Sequence, residues 1–214
     1  MLWLLAPTLV ALIAALLSGG SPRVLVGYGL RAWPAILIAF VIELVLYNPP
    51  LNGQAWALNL GPWIWLASQG VFLLALVLNG WSPGSCVVWP WRLAAIGVGL
   101  NTLVIALNGG HMPQSPEAAL AVWGASHIDP TRLQNVAAIG PTTRLAWLAD
   151  VIAEPAWLPR PNIVSIGDVL LALGVASWTF LSMRPQRDLV RVKMGSRNGT
   201  RIDGAARPHQ DPIR

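Results

Sequence analysis

The sequence predicts an all-α integral membrane protein, a bundle of about five transmembrane helices with short interfacial helices in one long outer loop. Hydrophobic residues make up 55% of the 214 residues and charged residues only 11%, whereas an ordinary soluble domain has about 25% charged residues. Twelve Trp stand against three Phe and two Tyr, and Trp prefers the membrane–water interface. These values exclude a water-soluble enzyme domain and disorder over most of the chain.

Five apolar stretches are long enough to cross about 30 Å of hydrocarbon, which takes about 20 residues. Gly, Asn or Arg ends each of them, with Pro often close behind. The stretches cover, in order, roughly 2–18, 31–47, 60–79, 90–107 and 163–183. We therefore expect a transmembrane domain over residues 1–183, in which residues 108–162 form a cap segment on the outer side. No basic residue precedes the first span, so we expect it to be retained rather than cleaved as a signal peptide.

All of the net charge lies after the last apolar stretch. Residues 184–214 carry eight basic and three acidic side chains, so their charge is 8 − 3 = +5, the whole net charge of the chain. We expect a disordered basic tail that is attracted to anionic lipid. The high isoelectric point is therefore no sign of nucleic-acid binding.

Basic residues in the short connections predict the orientation. Arg23, Arg31 and Arg92 fall beside spans on the same side as the tail, and the loop 48–59 has no charge. Because Lys and Arg concentrate in cytoplasmic loops, the sequence predicts a multi-pass protein of the cell membrane. Its amino terminus lies outside and its carboxyl terminus lies in the cytoplasm.

The cap segment 108–162 is too long for a plain connection and contains three helix signals. Ser115-Pro116-Glu117 supplies an N-cap, a proline at the first helical position and an early acid, and Gly124 ends that run. Asp129-Pro130 repeats the start signal, with a stop at Gly140. From Thr142 onward apolar residues recur at helical spacing. We expect three short amphipathic helices in the outer interface.

Ionisable and amide side chains inside the spans are the candidate functional residues, because burying an ionisable group in hydrocarbon costs at least a few kcal/mol. Glu43, Asn101 and Asp168 lie about 6–10 Å from the outer ends of three spans, at about 1.5 Å of rise per residue. Asn108 and His111 follow the fourth span directly. We predict that these five residues line an outward-facing polar pocket.

Asp168 also has a structural interpretation. Ser165 and Asp168 have the spacing of a capping box at the start of the fifth span, in which the acid accepts a hydrogen bond from the N-cap amide. The positive end of the helix dipole stabilises a carboxylate there. The sequence leaves both roles open for Asp168, a helix cap or a group that binds a ligand or a proton.

Two short motifs carry a resemblance to a known family. Asn108-Gly109-Gly110-His111-Met112-Pro113 leaves the fourth span, and Ser165-Ile166-Gly167-Asp168 opens the fifth. They resemble the Asn-Gly-Gly-x-Met-Pro and Ser-x-Gly-Asp signature of a bacterial family of small polytopic membrane proteins classed as a domain of unknown function. Asn101 and the stretch around Asp150 look similar to that family too. The resemblance implies an architecture and no activity.

The sequence favours a non-catalytic function. It contains no motif of nucleophilic catalysis or phosphate binding. Cys86 is the single cysteine, and His111 and His127 are too widely spaced for a shared metal, so we expect neither metal nor cofactor. The favoured function is an accessory, assembly or binding subunit, with the bilayer and a further membrane protein as partners. The alternative is a small transporter or membrane-embedded enzyme that uses the polar pocket.

Overall fold

Helices dominate the protein. The computed structural model describes residues 2–26, 29–81, 87–124, 134–159 and 161–184. Its helices are α1 (Leu2–Leu17), α2 (Arg23–Val26), α3 (Trp33–Leu46), α4 (Ala55–Gly80), α5 (Trp89–Leu107), α6 (Pro116–Trp123) and α7 (Ile166–Met183). Its strands are β1 (Met112–Gln114), β2 (Val136–Ala138), β3 (Ile152–Ala153) and β4 (Ile163–Val164). The chain is therefore mostly helical, with a small β component that composition does not predict.

Three of the described helices, α4, α5 and α7, are long and apolar enough to cross a membrane. The helices α1 and α3 are also apolar but contain only 16 and 14 residues, fewer than the roughly 20 that a span takes. Gly19, at φ 80°, follows α1, and α3 ends at Leu46 before Asn48-Pro49-Pro50. Of the five expected spans, three are therefore helices of full spanning length in the described part of the chain.

The long helices pack as a row of neighbours in the order α1, α7, α5, α4, α3. The helices α1 and α7 finish together, because the Ser21 amide donates to the Met183 carbonyl at 3.1 Å. The start of α3 meets the end of α4, where Arg31 bonds to Asn79. One end of the row, which we call the arginine end, holds residues 18–26, 29–32, Arg92 and Arg184. The other, the cap end, holds residues 47–54, 108–124, 134–159 and 161–164.

The cap segment agrees with the predicted pattern only at its start. The helix α6 follows Ser115, whose Oγ accepts from the Ala118 amide at 3.0 Å, and Gly124 ends it with φ 72°. The predictions of a second helix ending at Gly140 and a third beginning at Thr142 are wrong within the described residues. Residues 136–138 form β2, which pairs in parallel with β1, and beyond Thr142 a single 3₁₀ turn over Ala146–Leu148 is followed by β3.

Two buried apolar clusters hold the long helices together. At the cap end, Trp65 of α4 lies in a cluster completed by Leu46, Ala57, Val104, Ile105, Met112 and Leu148. Near the arginine end, Leu76 of α4 packs with Trp91, Ala94, Ala95 and Val98 of α5. The Trp91 ring also lies against Trp178 of α7, with centroids 5.0 Å apart. These clusters fix α4 against α5 and the cap segment. They thereby set the positions of the polar residues at the cap end.

Three expectations fall outside the described residues. They are the basic tail beyond Arg184, the start of the second predicted cap helix at Asp129-Pro130, and the expectation that Cys86 and His127 hold no metal. They stay predictions.

Candidate functional site

The start of α7 is the most densely bonded polar point at the cap end. Ser165 stands between β4 and α7 and is fully buried. Its Oγ accepts from the Asp168 amide at 3.0 Å, and the Asp168 Oδ2 accepts from the Ser165 amide at 3.0 Å. Together these bonds form a capping box, which satisfies amides that the first turn of a helix leaves free.

Asn101 of α5 closes this capping box into a ring of three side chains. Its Nδ2 donates to the Asp168 Oδ1 at 2.8 Å, and its Oδ1 accepts from the Ser165 Oγ at 2.9 Å. Both carboxylate oxygens of Asp168 are therefore occupied, as are both ends of the Asn101 amide. The ring joins α5 to α7 by charge-assisted and neutral hydrogen bonds.

Glycines let α5 and α7 come close enough for this ring. A Cβ on Gly167 of α7 would overlap Asn101 Oδ1, and one on Gly97 of α5 would overlap the Gly167 carbonyl. Small residues allow such close approach between helices. The Ser-x-Gly-Asp stretch therefore needs its glycine because Asn101 fills the space beside it.

Asn108 and His111 lie outside this ring. The Asn108 side chain donates to the Arg144 carbonyl at 2.9 Å and accepts from the Arg144 amide at 2.9 Å, as a backbone partner would. Gly109 and Gly110, at φ 71° and 84°, then turn the chain into β1, a conformation that glycine adopts without steric cost. His111 is half-buried, and this burial lowers its pKa.

Glu43 lies at a third place. It lines a cavity of about 170 Å³ near the end of α3, together with Phe40, Leu44, Tyr47, Asn48 and Asn135. None of the other four residues of the predicted pocket lines this cavity. Asp168 is nevertheless within electrostatic range of Glu43. Of the five candidate residues, the structure joins Asn101 to Asp168 by a hydrogen bond and puts the others elsewhere at the cap end.

Asp150 is a buried acid that sequence reasoning associated only with the family resemblance. It is 8% exposed, and its Oδ1 has no hydrogen-bond partner. Burial, with Asp168 nearby, raises its pKa to about 8. Its backbone is fixed on both sides, since its amide donates to Pro113 and its carbonyl accepts from Ser115. In the sequence Asp150 looks like any loop acid, because its burial depends on pairing with distant β1.

The arrangement can hold helices together and can bind a small ligand at Glu43. Within the described ranges no three His, Cys, Asp or Glu side chains converge as a metal site. In the ring of Asn101, Ser165 and Asp168, each carboxylate oxygen accepts one hydrogen bond that ties α7 to itself or to α5. Its chemistry is therefore that of helix packing.

Comparison with known proteins finds a relative and a matching family. The chain is 29% identical over 196 residues to a protein of Thermotoga maritima described as "Uncharacterized protein", covering 86% of this chain and 94% of that one. No solved structure matches it significantly. A family described as "Family of unknown function (DUF5317)" matches residues 28–180, a range that contains α3 to α6, nearly all of α7 and all five candidate residues. The chain therefore belongs to the DUF5317 family.

Proposed function

We propose that this chain is a multi-pass protein of the cell membrane in which α1, α3, α4, α5 and α7 each cross the bilayer once. The support is the alternation of their ends. At the arginine end, Ser21 after α1 bonds to Met183, the end of α7, and Arg92 of α5 bonds to Gly80, the end of α4. Arg31 before α3 bonds to Asn79 of α4 at the same end, and residues 47–54 join α3 to α4 at the cap end. Such alternation is what consecutive spans require.

The charges at the two ends support an orientation with the amino terminus outside and the carboxyl terminus in the cytoplasm. Arg23, Arg31, Arg92 and Arg184 all lie at the arginine end. Cytoplasmic loops carry an excess of such residues. The acids Glu117, Asp150 and Glu154 lie in the cap segment, which this orientation places outside.

The short helices α1 and α3 need help to cross the membrane. At about 1.5 Å per residue they reach about 24 and 21 Å, less than the roughly 30 Å of hydrocarbon. Local thinning of the bilayer accommodates such a mismatch at a modest cost. Their exposed faces are apolar, for example Leu9, Ile13, Leu37 and Val41, as a lipid-facing surface requires.

The function that this geometry supports best is a non-catalytic membrane subunit that binds or assembles with other membrane components. One observation carries it: the Asp168 carboxylate accepts from the Ser165 amide and from the Asn101 side chain, and the second of these bonds joins α7 to α5. Hydrogen bonds of this kind hold membrane helices together. Asp168 therefore serves helix packing.

The alternative, a transporter or membrane-embedded enzyme, needs a continuous polar pocket. The cavity at Glu43 does not include Asn101, Asn108, His111 or Asp168. No observation on the described residues therefore favours it over the packing role.

The test compares Asp168→Asn with Asp168→Ala. If Asp168 holds α5 to α7, Asn keeps one acceptor and loses only a fraction of the stability that Ala loses. Ser165→Ala costs about 0.5–2 kcal/mol, the range of helix caps, and the Ser165/Asp168 double variant is non-additive because both close the same turn. Thermal unfolding of the purified full chain measures these values.

The same variants are scored for complementation of a strain that lacks the protein. The packing account predicts that complementation follows melting temperature, so that Asp168→Asn is active wherever it is stable. Asp168→Asn could instead keep the wild-type melting temperature and still lose complementation to the same extent as Asp168→Ala. In that case the acid performs chemistry and the non-catalytic proposal is wrong.

A further inference from the structure

The cavity beside Glu43 is a small half-open space where α3 ends. Its volume of about 170 Å³ is below the roughly 300–1,000 Å³ of sites for drug-sized ligands. A water takes about 30 Å³ of liquid volume, so the cavity holds only a compact group. It lies one helical turn from Leu46, the last residue of α3, at the level where apolar helix gives way to polar loop.

The electrostatics of the cavity select a cation. Among the described residues no basic side chain forms an ion pair with Glu43, and the charged side chain within range of it is another acid, Asp168. The carboxyl end of a helix adds partial negative charge from its last carbonyls. The Phe40 and Tyr47 side chains line the cavity, and aromatic rings attract cations through their faces.

The polar groups of the lining include acceptor oxygens that take no described hydrogen bond, and the Trp65 indole N–H lies within hydrogen-bonding reach of the Glu43 carboxylate. The Asn48 Nδ2 already donates to the Leu44 carbonyl at 2.6 Å, which leaves its Oδ1 facing no donor. Within the described ranges no side-chain hydrogen bond occupies the Asn135 amide, and the Tyr47 hydroxyl is buried without a partner. Together with the Glu43 carboxylate, these groups match the three N–H donors of a primary ammonium.

The rim of the cavity is apolar and belongs to the exposed face of α3. Phe40 and Leu44 are 46% and 54% exposed, and Leu37 and Val41 continue the same face toward the arginine end. A ligand whose ammonium enters the cavity can therefore lay an apolar tail along α3. A soluble amine would leave this face unused.

We propose that the cavity binds the primary ammonium of an aminophospholipid, the ethanolamine headgroup, with its acyl chains along α3. This inference rests on the membrane placement proposed above and goes beyond it. Glu43 supplies the counter-charge, and Asn48 and Asn135 accept the remaining N–H bonds. A quaternary choline headgroup has no N–H to donate, so it binds more weakly.

Native mass spectrometry tests this on the full chain in nanodiscs that contain phosphatidylethanolamine, phosphatidylcholine or phosphatidylglycerol at equal acyl composition. The expected result is retention of phosphatidylethanolamine at least about tenfold above the other two lipids. Adding soluble ethanolamine is the arm that separates the two sources of the amine, and it should not displace the lipid. Insertion into the nanodisc is measured separately. A chain that fails to insert is thereby distinguished from a chain that inserts but shows no lipid preference.

Glu43→Gln has nearly the same shape and should abolish the preference, whereas Glu117→Gln, an equal charge change outside the cavity, should keep it. Asn135→Ala provides a second variant away from the span, with an expected partial loss, if Glu43→Gln fails to insert. Equal retention of the three lipids by the wild type overturns the proposal. A preference for phosphatidylethanolamine that survives in both Glu43→Gln and Asn135→Ala also overturns it. So does displacement of the bound lipid by soluble ethanolamine, because the site would then bind the free amine.

Discussion

Three asparagines hold separate parts of the chain together by using both ends of the side-chain amide. Asn79 of α4 accepts from the Arg31 amide at 3.0 Å and donates to the Arg31 carbonyl at 2.9 Å. Asn108 makes the same pair of bonds to Arg144, and Asn101 bonds to two side chains of the α7 start. Bonds between helices in membranes contribute about 0.6 kcal/mol on average and up to about 1.7 kcal/mol.

Sequence reasoning recognised these asparagines unequally. Asn101 stands out because it lies among apolar residues, and Asn108 because it opens a glycine turn. In the sequence, Asn79 looks like the polar end of a span. Its partner is the backbone of a residue 48 positions away, and because any residue type can supply a backbone group, no sequence pattern predicts this bond.

Asp150 gives the cap segment a pH-dependent stability. Its pKa of about 8 in the folded protein lies above the usual 3.8, so between those values the folded state binds a proton that the unfolded state has lost. Its contribution is therefore fully present below about pH 4 and is lost as the pH rises through about 8. Above that pH an ionised, unpartnered carboxylate is buried, which is costly.

We predict that Asp150→Asn removes this dependence. The difference in melting temperature, variant minus wild type, should increase from pH 5 to about pH 8, because over this range the wild-type chain takes up a proton on Asp150 when it folds, and it should level off above pH 8. Melting curves of the detergent-solubilised chain at several pH values measure it. A difference that stays flat over this range would show that Asp150 is not buried in this way.

At the scale of elements, the contact between α5 and α7 depends on glycines that face backbone. A Cβ on Gly174 would lie 2.7 Å from the Pro90 carbonyl oxygen and 2.8 Å from the Ala94 amide nitrogen. Neither atom can move without displacing α5. By contrast, a Cβ on Gly99 would meet Leu73 at 3.8 Å, an ordinary contact with α4. The contact between α5 and α7 therefore uses Gly97 and Gly174, whereas Gly99 faces α4 with room to spare.

Gly174→Ala should therefore destabilise the protein by about 1–3 kcal/mol, the usual cost of overpacking. Gly99→Ala makes the same chemical change at a position with room, and it should leave stability unchanged or raise it, because Ala favours helix over Gly. Unfolding in mixed micelles gives both values. Equal losses for the two variants would contradict the packing described for α5 and α7.

The cap segment shows why helix periodicity can mislead. Val136 and Ile139 have helical spacing, yet the Met112 amide donates to Asn135 and the Ile139 amide donates to Gln114, which draws residues 136–138 into a strand. Strand pairing depends on residues more than twenty positions away. The start of α6 is local, since Ser115, Pro116 and Glu117 suffice to define it, and there prediction and structure agree.

At the scale of the whole molecule, composition predicts the membrane class, and spacing predicts the order of the apolar helices. The long helices begin and end within a few residues of the predicted spans, except that α4 begins earlier, at Ala55. The lengths of α1 and α3 are not predictable in this way, because turns on either side define them. Whether α3 crosses the bilayer therefore decides the proposed topology.

Cysteine labelling tests this central claim most directly. In a Cys86→Ser background, single cysteines replace Ser21, Ala55, Thr142 and Thr200, and intact cells are treated with a membrane-impermeant maleimide. Five alternating spans predict labelling at positions 55 and 142, and at 21 and 200 only after the membrane is opened. Ser21 and Ala55 flank α3, so equal labelling of these two positions in intact cells would show that α3 does not cross and would contradict the account.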